Sequence, residues 1–194
     1  MAAYLLGSVP FAYLLGRLAR GVDIRRVGTG NVGTLNTFRQ IGPAAGVAVI
    51  LLDTVKGMVA VNLPSMVGAP QPVEYAAAVA VLAGHNWPLY LGFHGGKGAA
   101  TVAGASLAVI PWLTLIAIGP TLLVAAATRK PVAGIVAGFV VLNSLIIATG
   151  LGWDQAALCV GMSLVVGATY LAGSWGATVQ AARRGRWTEL LSFE

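Results

Sequence analysis

Six apolar runs, at residues 2–18, 44–63, 75–93, 112–128, 131–151 and 155–173, take up most of this chain and carry very little charge. A helix crossing the hydrocarbon core of a bilayer needs about 20 apolar residues, and about 17 suffice. Inside hydrocarbon every backbone polar group must find its partner within the protein, so segments of this kind fold as α-helices. Composition agrees: 57% of the 194 residues are hydrophobic and 9% are charged, against about 25% charged in a soluble domain, with a mean hydropathy of +0.82. The chain reads as an all-α polytopic membrane protein, a single integral membrane domain over residues 1–194 with no soluble domain or linker. The first run, 4–18, lacks a basic leading segment and a small-residue cleavage site, so it is read as a retained span.

The basic residues decide the topology. Twelve Lys and Arg stand against six acids, and the bases bunch at 17–39, 97, 129–130 and 183–186, between the apolar runs, as cytoplasmic loops do. Most of the +6 charge is therefore orientation, and no nucleic-acid partner is implied. If all four clusters face the cytoplasm, the chain starts outside and crosses an even number of times between any two of them. The stretch 98–128, interrupted by Pro111 and Pro120, must then be two short crossings or a re-entrant pair. Helices of about 12 and about 17 residues reach only about 18 and 25 Å, so the first is short for a span. The expectation is about seven helices, one pair of them short, with the N-terminus outside, the C-terminus cytoplasmic, and residues 64–74 and 150–154 on the outer side.

Three polar clusters interrupt this pattern. The first, Gly28-Thr29-Gly30-Asn31-Val32-Gly33, satisfies G-x-G-x-x-G, and Asp53 stands 20 residues beyond its last glycine, as in a dinucleotide-binding fingerprint. That fingerprint needs a buried strand before its first glycine. Here the adjacent bases Arg25 and Arg26 precede it and Asp53 lies in an apolar run, so the nucleotide reading fails. The glycines still suit a nest of backbone N–H groups around a phosphate, flanked by Arg25, Arg26 and Arg39. The alternative is a basic loop that only sets topology.

The second cluster is Asp53 with Lys56, at i and i+3 on one helix face, where they can pair within the membrane. They form either a structural ion pair near the interface or an anion contact by Lys56 that Asp53 orients. The third, GHNWPLYLGFHGGKGAAT at 84–101, is no Walker loop. It does put glycine amides and the Lys97 ammonium at the start of a helix, 99–110, whose N-terminus favours an anion. His85 and His94 flank it, either as hydrogen-bonded anchors at the interface or as site residues. The one cysteine, Cys159, lies in an apolar run, so neither a disulfide nor a cysteine-based metal site is implied, and no metal is assigned. Three clusters of glycines and bases, all assigned to one face, suggest more than one anionic ligand.

The segments GSVPFAYLLGRLARGVDIRRVGTGNVGTLNTFR, DTVKG and GHNWPLYLGFHGGKGAAT resemble, in order and spacing, the signature segments of the bacterial acyl-phosphate-dependent glycerol-3-phosphate acyltransferase family. The resemblance implies a seven-helix, multi-pass protein of the bacterial inner membrane. It implies transfer of an acyl group from acyl phosphate to the 1-hydroxyl of glycerol 3-phosphate, giving lysophosphatidic acid, the first step of phospholipid synthesis. It implies no cofactor, neither nucleotide nor metal nor acyl-CoA. Carried over position by position, it makes Ser8, Thr29, Gly30, Asn31 and Asn36 substrate phosphate contacts of the first segment and Arg39 its phosphate clamp. It adds Lys56 and Gly57 from the second segment. From the third come His85, as a general base whose place a substrate phosphate oxygen could take, and Gly95, Gly96, Lys97 and Gly98 as the acyl-phosphate cradle.

Two departures stand out. Thr29 replaces the family's usual serine and Leu35 its threonine, and residues 173–180 read GSWGATVQ, without the usual His-Arg-x-Asn cluster. A divergent paralogue with another acceptor, an inactive one, or a small anion transporter with a re-entrant GGKG loop are the alternatives. No inverted repeat supports the transporter. About 190 residues in seven short helices can form a core alone, so a monomer is expected.

Overall fold

The structure, a computed structural model, describes the backbone of residues 1–183 and the side chains of residues 1–173. Its contacts fall into two compact units, residues 1–111 and 112–194.

The first unit holds α1 (Ala2–Gly7), α2 (Phe11–Arg20), α3 (Thr34–Gln40), α4 (Pro43–Met66), α5 (Gln71–Asn86) and α6 (Ala99–Val109). Its axis is α4, against which α1, α2, α3, α5 and α6 all pack. The pattern on α4 is the reverse of a soluble helix. Gly46, Val49, Asp53, Lys56, Gly57, Ala60 and Val61 form the buried stripe, at helical spacing, whereas Ile50, Leu51, Val55, Met58 and Val59 are exposed. Lipid tails are as apolar as leucine, so membrane helices turn their small and polar residues toward one another.

Small residues set the distances between axes. A β-carbon at Gly57 would strike the Thr101 carbonyl and one at Gly104 the Thr54 carbonyl, so α4 and α6 touch backbone to backbone. Gly7 against the Val81 carbonyl and Gly84 against the Tyr4 carbonyl do the same for α1 and α5.

The apolar run 2–18 is not one continuous helix. It ends at Gly7 and resumes at Phe11, because Pro10 has no N–H to donate and disfavours helical backbone at the residue before it. The run 75–93 is likewise cut: α5 stops at Asn86, and a single 3₁₀ turn over Leu89–Leu91 follows. The short helix α3 arises in what the charge pattern marks only as a loop.

The second unit holds α7 (Pro111–Thr128), α8 (Pro131–Ala148) and α9 (Trp153–Arg183). Pro111 and Pro131 open their helices, where the missing N–H costs nothing. Of the two interruptions read in 98–128, only Pro111 is a break, since Pro120 lies inside α7.

Among the described residues, five helical stretches are long and apolar enough to cross a membrane: Ala2–Arg20, Pro43–Met66, Pro111–Thr128, Pro131–Ala148 and Trp153–Gly173. The helices α5, of 16 residues, and α6, of 11, are shorter, about 24 and 17 Å at 1.5 Å per residue. The expected cytoplasmic placement of 174–194, and the side chains of the GSWGATVQ segment from Ser174 on, lie outside what the structure describes.

Candidate active site

The interruption between α1 and α2 opens a cleft within the first unit. Ser8, Val9 and Pro10 form one wall, Asp53 and Lys56 of α4 a second, and His85 at the end of α5, Gly95 and Gly96 a third, with Val32 of the first glycine loop at the margin. All three polar clusters of the sequence therefore reach one place.

At its centre is a buried charged group. Lys56 Nζ lies 2.7 Å from Asp53 Oδ1, off the hydrogen-bonding direction of that oxygen, so this is an ion pair more than an aligned hydrogen bond. Lys56 also donates to the Val9 carbonyl at 3.2 Å, an acceptor that exists because Pro10 interrupts the helix. The ring of Phe11 lies 5.5 Å from the ammonium. His85 Nδ1 stands 3.6 Å from the same carboxylate oxygen. Asp53 and Lys56 are each 3% exposed and His85 8%. An unpaired charge at such depth would cost several kcal/mol, and as a pair the two charges cancel. The ammonium is thus flanked by the Asp53 carboxylate and the Val9 carbonyl.

Ser8 is fully buried. Its hydroxyl donates to the Tyr4 carbonyl at 2.9 Å and accepts from the Leu89 amide at 3.3 Å, so it ties the end of α1 to the turn after α5.

The GGKG stretch is placed by α5. The amides of Gly95 and Gly96 donate to the carbonyls of Asn86 and His85, both at 3.1 Å, closing the helix C-terminus. Those two amides are thus engaged, and what the glycines supply is approach: a β-carbon on Gly96 would meet the His85 ring and, at 2.8 Å, the Val32 carbonyl. Gly98 is the N-cap of α6 with φ +84, a conformation glycine takes without strain. The amides that can meet an anion here are those of the first turn of α6, which have no partner within the helix. Lys97 is half-buried just before them, and burial pushes its ammonium down from the usual lysine range. His94 is exposed, with Nδ1 2.6 Å from the Gly92 carbonyl, as an interfacial anchor. Among the described residues no cluster of three or more His, Cys, Asp or Glu is placed to hold a metal.

The first glycine loop is organised by its own polar groups. Asn36 donates to the carbonyls of Ile24, Val27 and Asn31, each at 3.1 Å, and accepts from the Thr29 amide at 3.1 Å. Its side chain is fully employed in shaping the loop around Gly30, which has φ +71. Thr29 is exposed and accepts from the Asn31 amide at 3.4 Å. Of the bases that flank this loop in sequence, Arg25 grips Asp23 through Nε at 3.0 Å and Nη2 at 2.8 Å, and Arg17 adds a contact at 3.3 Å. Hydrogen bonds from Arg25 hold the Asp23 carboxyl well below the usual carboxylate range. Arg25 and Arg17 also lie over the Tyr13 ring. Arg39 is exposed in the last turn of α3.

The structure thus brings Ser8, Lys56, His85, Gly95 and Gly96 to one cleft, with Lys97 and Gly98 continuing from it into α6. Gly57 serves the packing of α4 on α6, and Asn36 serves the loop. Sequence reasoning missed two parts: the approach of Asp53 to His85 across 32 positions, and the Val9 carbonyl as partner of Lys56. The Pro10 inside an apolar run was the available signal for the second.

A family model described as "Glycerol-3-phosphate acyltransferase" matches residues 1–176. "Glycerol-3-phosphate acyltransferase 2" of Moorella thermoacetica is 50% identical over 111 residues, 57% of this chain and 57% of that protein, so the chain spans little more than half the length of that relative. "Glycerol-3-phosphate acyltransferase 4" of Dehalococcoides mccartyi is 39% identical over 171 residues, 88% of this chain and 92% of that protein. Among solved structures, PlsY, an integral membrane glycerol 3-phosphate acyltransferase, superposes in its glycerol 3-phosphate form with a TM-score of 0.81 at 28% identity, covering 95% of this chain and 90% of that one. Its lysophosphatidic acid form superposes with a TM-score of 0.78.

Proposed function

The chain belongs to the glycerol-3-phosphate acyltransferase family, and from that premise we propose that it transfers an acyl group from acyl phosphate to the 1-hydroxyl of glycerol 3-phosphate. The products are lysophosphatidic acid and inorganic phosphate. The observation that carries this reading is the convergence of all three signature segments on one cleft, lined by Ser8 and Val32 of the first, Asp53 and Lys56 of the second, and His85 and Gly96 of the third.

Acyl phosphate is an activated mixed anhydride, so no acyl-enzyme is required. The glycerol hydroxyl oxygen attacks the acyl carbon, the carbon–oxygen bond to phosphate breaks, and the electron pair leaves with the phosphate. The hydroxyl proton goes to a substrate phosphate oxygen. Lys97 and the first-turn amides of α6 receive the departing phosphate, where charge grows during the reaction. Asp53 offsets Lys56, and this reading assigns the two anionic substrates to Lys97 and to Arg39, whose fork suits a phosphate. Gly95 and Gly96 keep this wall close enough to His85 to bring the reactants together.

The protein works as a monomer in the bacterial inner membrane with seven crossings, the N-terminus outside and the Lys97 loop in the cytoplasm, as the basic clusters dictate. An impermeant thiol reagent should reach a cysteine placed at Gly68 in intact cells, and protection there would overturn the topology. The assay that decides the chemistry supplies purified protein with acyl phosphate and labelled glycerol 3-phosphate. Labelled lysophosphatidic acid is expected, and flux of label across vesicles without acylation would make the protein a transporter instead.

A further inference from the structure

A second buried carboxylate of the first unit, Asp23, lies outside the cleft. It is 7% exposed, and three guanidiniums surround it. Arg25 meets it fork to fork, Nε on Oδ1 at 3.0 Å and Nη2 on Oδ2 at 2.8 Å, an arrangement that adds direction as well as strength. Arg17 Nη2 reaches Oδ2 at 3.3 Å, and Arg26 Nε stands 3.9 Å from it. Arg17 and Arg25 also share the Tyr13 ring, at 5.5 and 4.9 Å from its centroid. Without the carboxylate, two like charges would lie on one ring.

The same residue closes a turn. Asp23 Oδ1 accepts the Arg25 amide at 3.1 Å, and its carbonyl accepts the Arg26 amide at 2.9 Å, which caps the 3₁₀ turn Ile24–Arg26. The glycine loop is built on that turn. The Ile24 and Val27 carbonyls are two of the three held by Asn36, whose Oδ1 takes the Thr29 amide. The Gly30 amide donates to the Val27 carbonyl at 3.1 Å, and a β-carbon on Gly30 would lie 3.1 Å from the Arg25 carbonyl. A chain of contacts therefore runs from Asp23 through the turn to Gly30, and Val32, two residues on, lines the cleft.

We propose that Asp23 is a positioning residue for substrate binding: by gathering Arg17 and Arg25 and capping the turn, it holds the loop at residues 28–33 in the shape that receives an anionic substrate. It acts from outside the cleft, on the fraction of molecules whose loop is competent and on no reacting atom. Apparent affinity falls in proportion to that fraction. The bound complex, once formed, has the same loop and turns over at the same rate. The role in binding rests on the acyltransferase reading; the hold on the loop does not.

Asp23→Asn is the test, because it puts an amide N–H₂ where a carboxylate oxygen now accepts from guanidinium. Hydrogen exchange of the detergent-solubilised variant should be about tenfold faster over residues 27–33, and within about twofold of the unmodified protein in α4 and α5. In the turnover assay, KM for one of the two anionic substrates should rise about tenfold, with kcat within about threefold. Arg25→Gln, which removes the fork and keeps the cap, should shift both readings in the same direction, and it decides alone where Asp23→Asn does not fold. Arg20→Gln, at an exposed position in the last turn of α2, should shift neither. Unchanged exchange over 27–33, or equal acceleration through α4 and α5, overturns the hold on the loop. A lowered kcat at unchanged KM, or faster loop exchange with both kinetic constants unchanged, overturns the role in binding. Absence of acyl transfer by the unmodified protein would instead overturn the acyltransferase reading, and the exchange data would still decide the hold on the loop.

Discussion

The two units of the molecule make opposite use of buried space. In residues 1–111 the buried polar and charged residues are Ser8, Asp23, Asn36, Thr37, Asp53, Lys56, His85, Asn86, Thr101 and Ser106, whereas among the described residues from 112 on the buried polar set holds only Thr114. Helix α4 has 39% of its most apolar window buried and α7 only 11%, so α7 presents most of its surface outward. The glycines differ in the same sense. A β-carbon at Gly57 or Gly104 would strike neighbouring backbone, while one at Gly119, Gly161 or Gly167 would meet nothing within 4 Å. A bilayer offers no hydrophobic gain for bringing two apolar helices together. Tight packing therefore develops where polar groups and small residues demand it, and in this chain that is where the cleft lies.

Breaking the Lys56–Asp53 pair should have the largest effect. Lys56→Met leaves a buried carboxylate without its countercharge, and the expected loss is about 3–5 kcal/mol of stability, read as a lowered unfolding midpoint in detergent. Adding Asp53→Asn should recover most of it. If the single variant were as stable as the double one, the buried charges would not be what distinguishes the first unit.

Next comes a comparison of lysines across the two units. Lys97→Met should reduce kcat by about 10²–10³-fold, roughly 3–4 kcal/mol of transition-state stabilisation, because a cation beside the departing phosphate acts on charge that grows during the reaction. Lys130→Met, at the head of α8, should change turnover by no more than about twofold, as surface substitutions do. Equal effects would reduce both lysines to topology signals.

The smallest effect sharpens the packing side of the comparison. Gly104→Ala forces a methyl into the Thr54 carbonyl and should cost about 1–3 kcal/mol. Gly119→Ala meets open space and should gain up to about 1 kcal/mol in helix preference. Thermal unfolding of the two variants side by side tests this, and matching midpoints would contradict the backbone-to-backbone contact of α4 with α6.

What composition and pattern determined is the class of solution. Long apolar runs must be helices in hydrocarbon, because each backbone N–H and C=O finds its partner locally there, and the clustered bases bear on orientation for an equally local reason. The signature stretches were legible for the same cause: glycines, Lys97 and the first turn of α6 are neighbours along the chain. The Asp53–Lys56 pair was legible because helical spacing alone brings i and i+3 together.

Only the tertiary structure decided which of these residues meet. Nothing local brings Asp53 to His85, and nothing local offers the Val9 carbonyl to Lys56; both follow from α1 and α5 seating on each other through Gly7 and Gly84, with α4 alongside. Nor could spacing tell that Asn36 would be consumed by three carbonyls, that the amides of Gly95 and Gly96 would close α5, or that Gly57 would serve α6. A polar atom has a few bonding directions and many partners within reach of a flexible chain. Which partner it takes is fixed by the packing of whole helices, and that is a property of the assembled core and of no single segment.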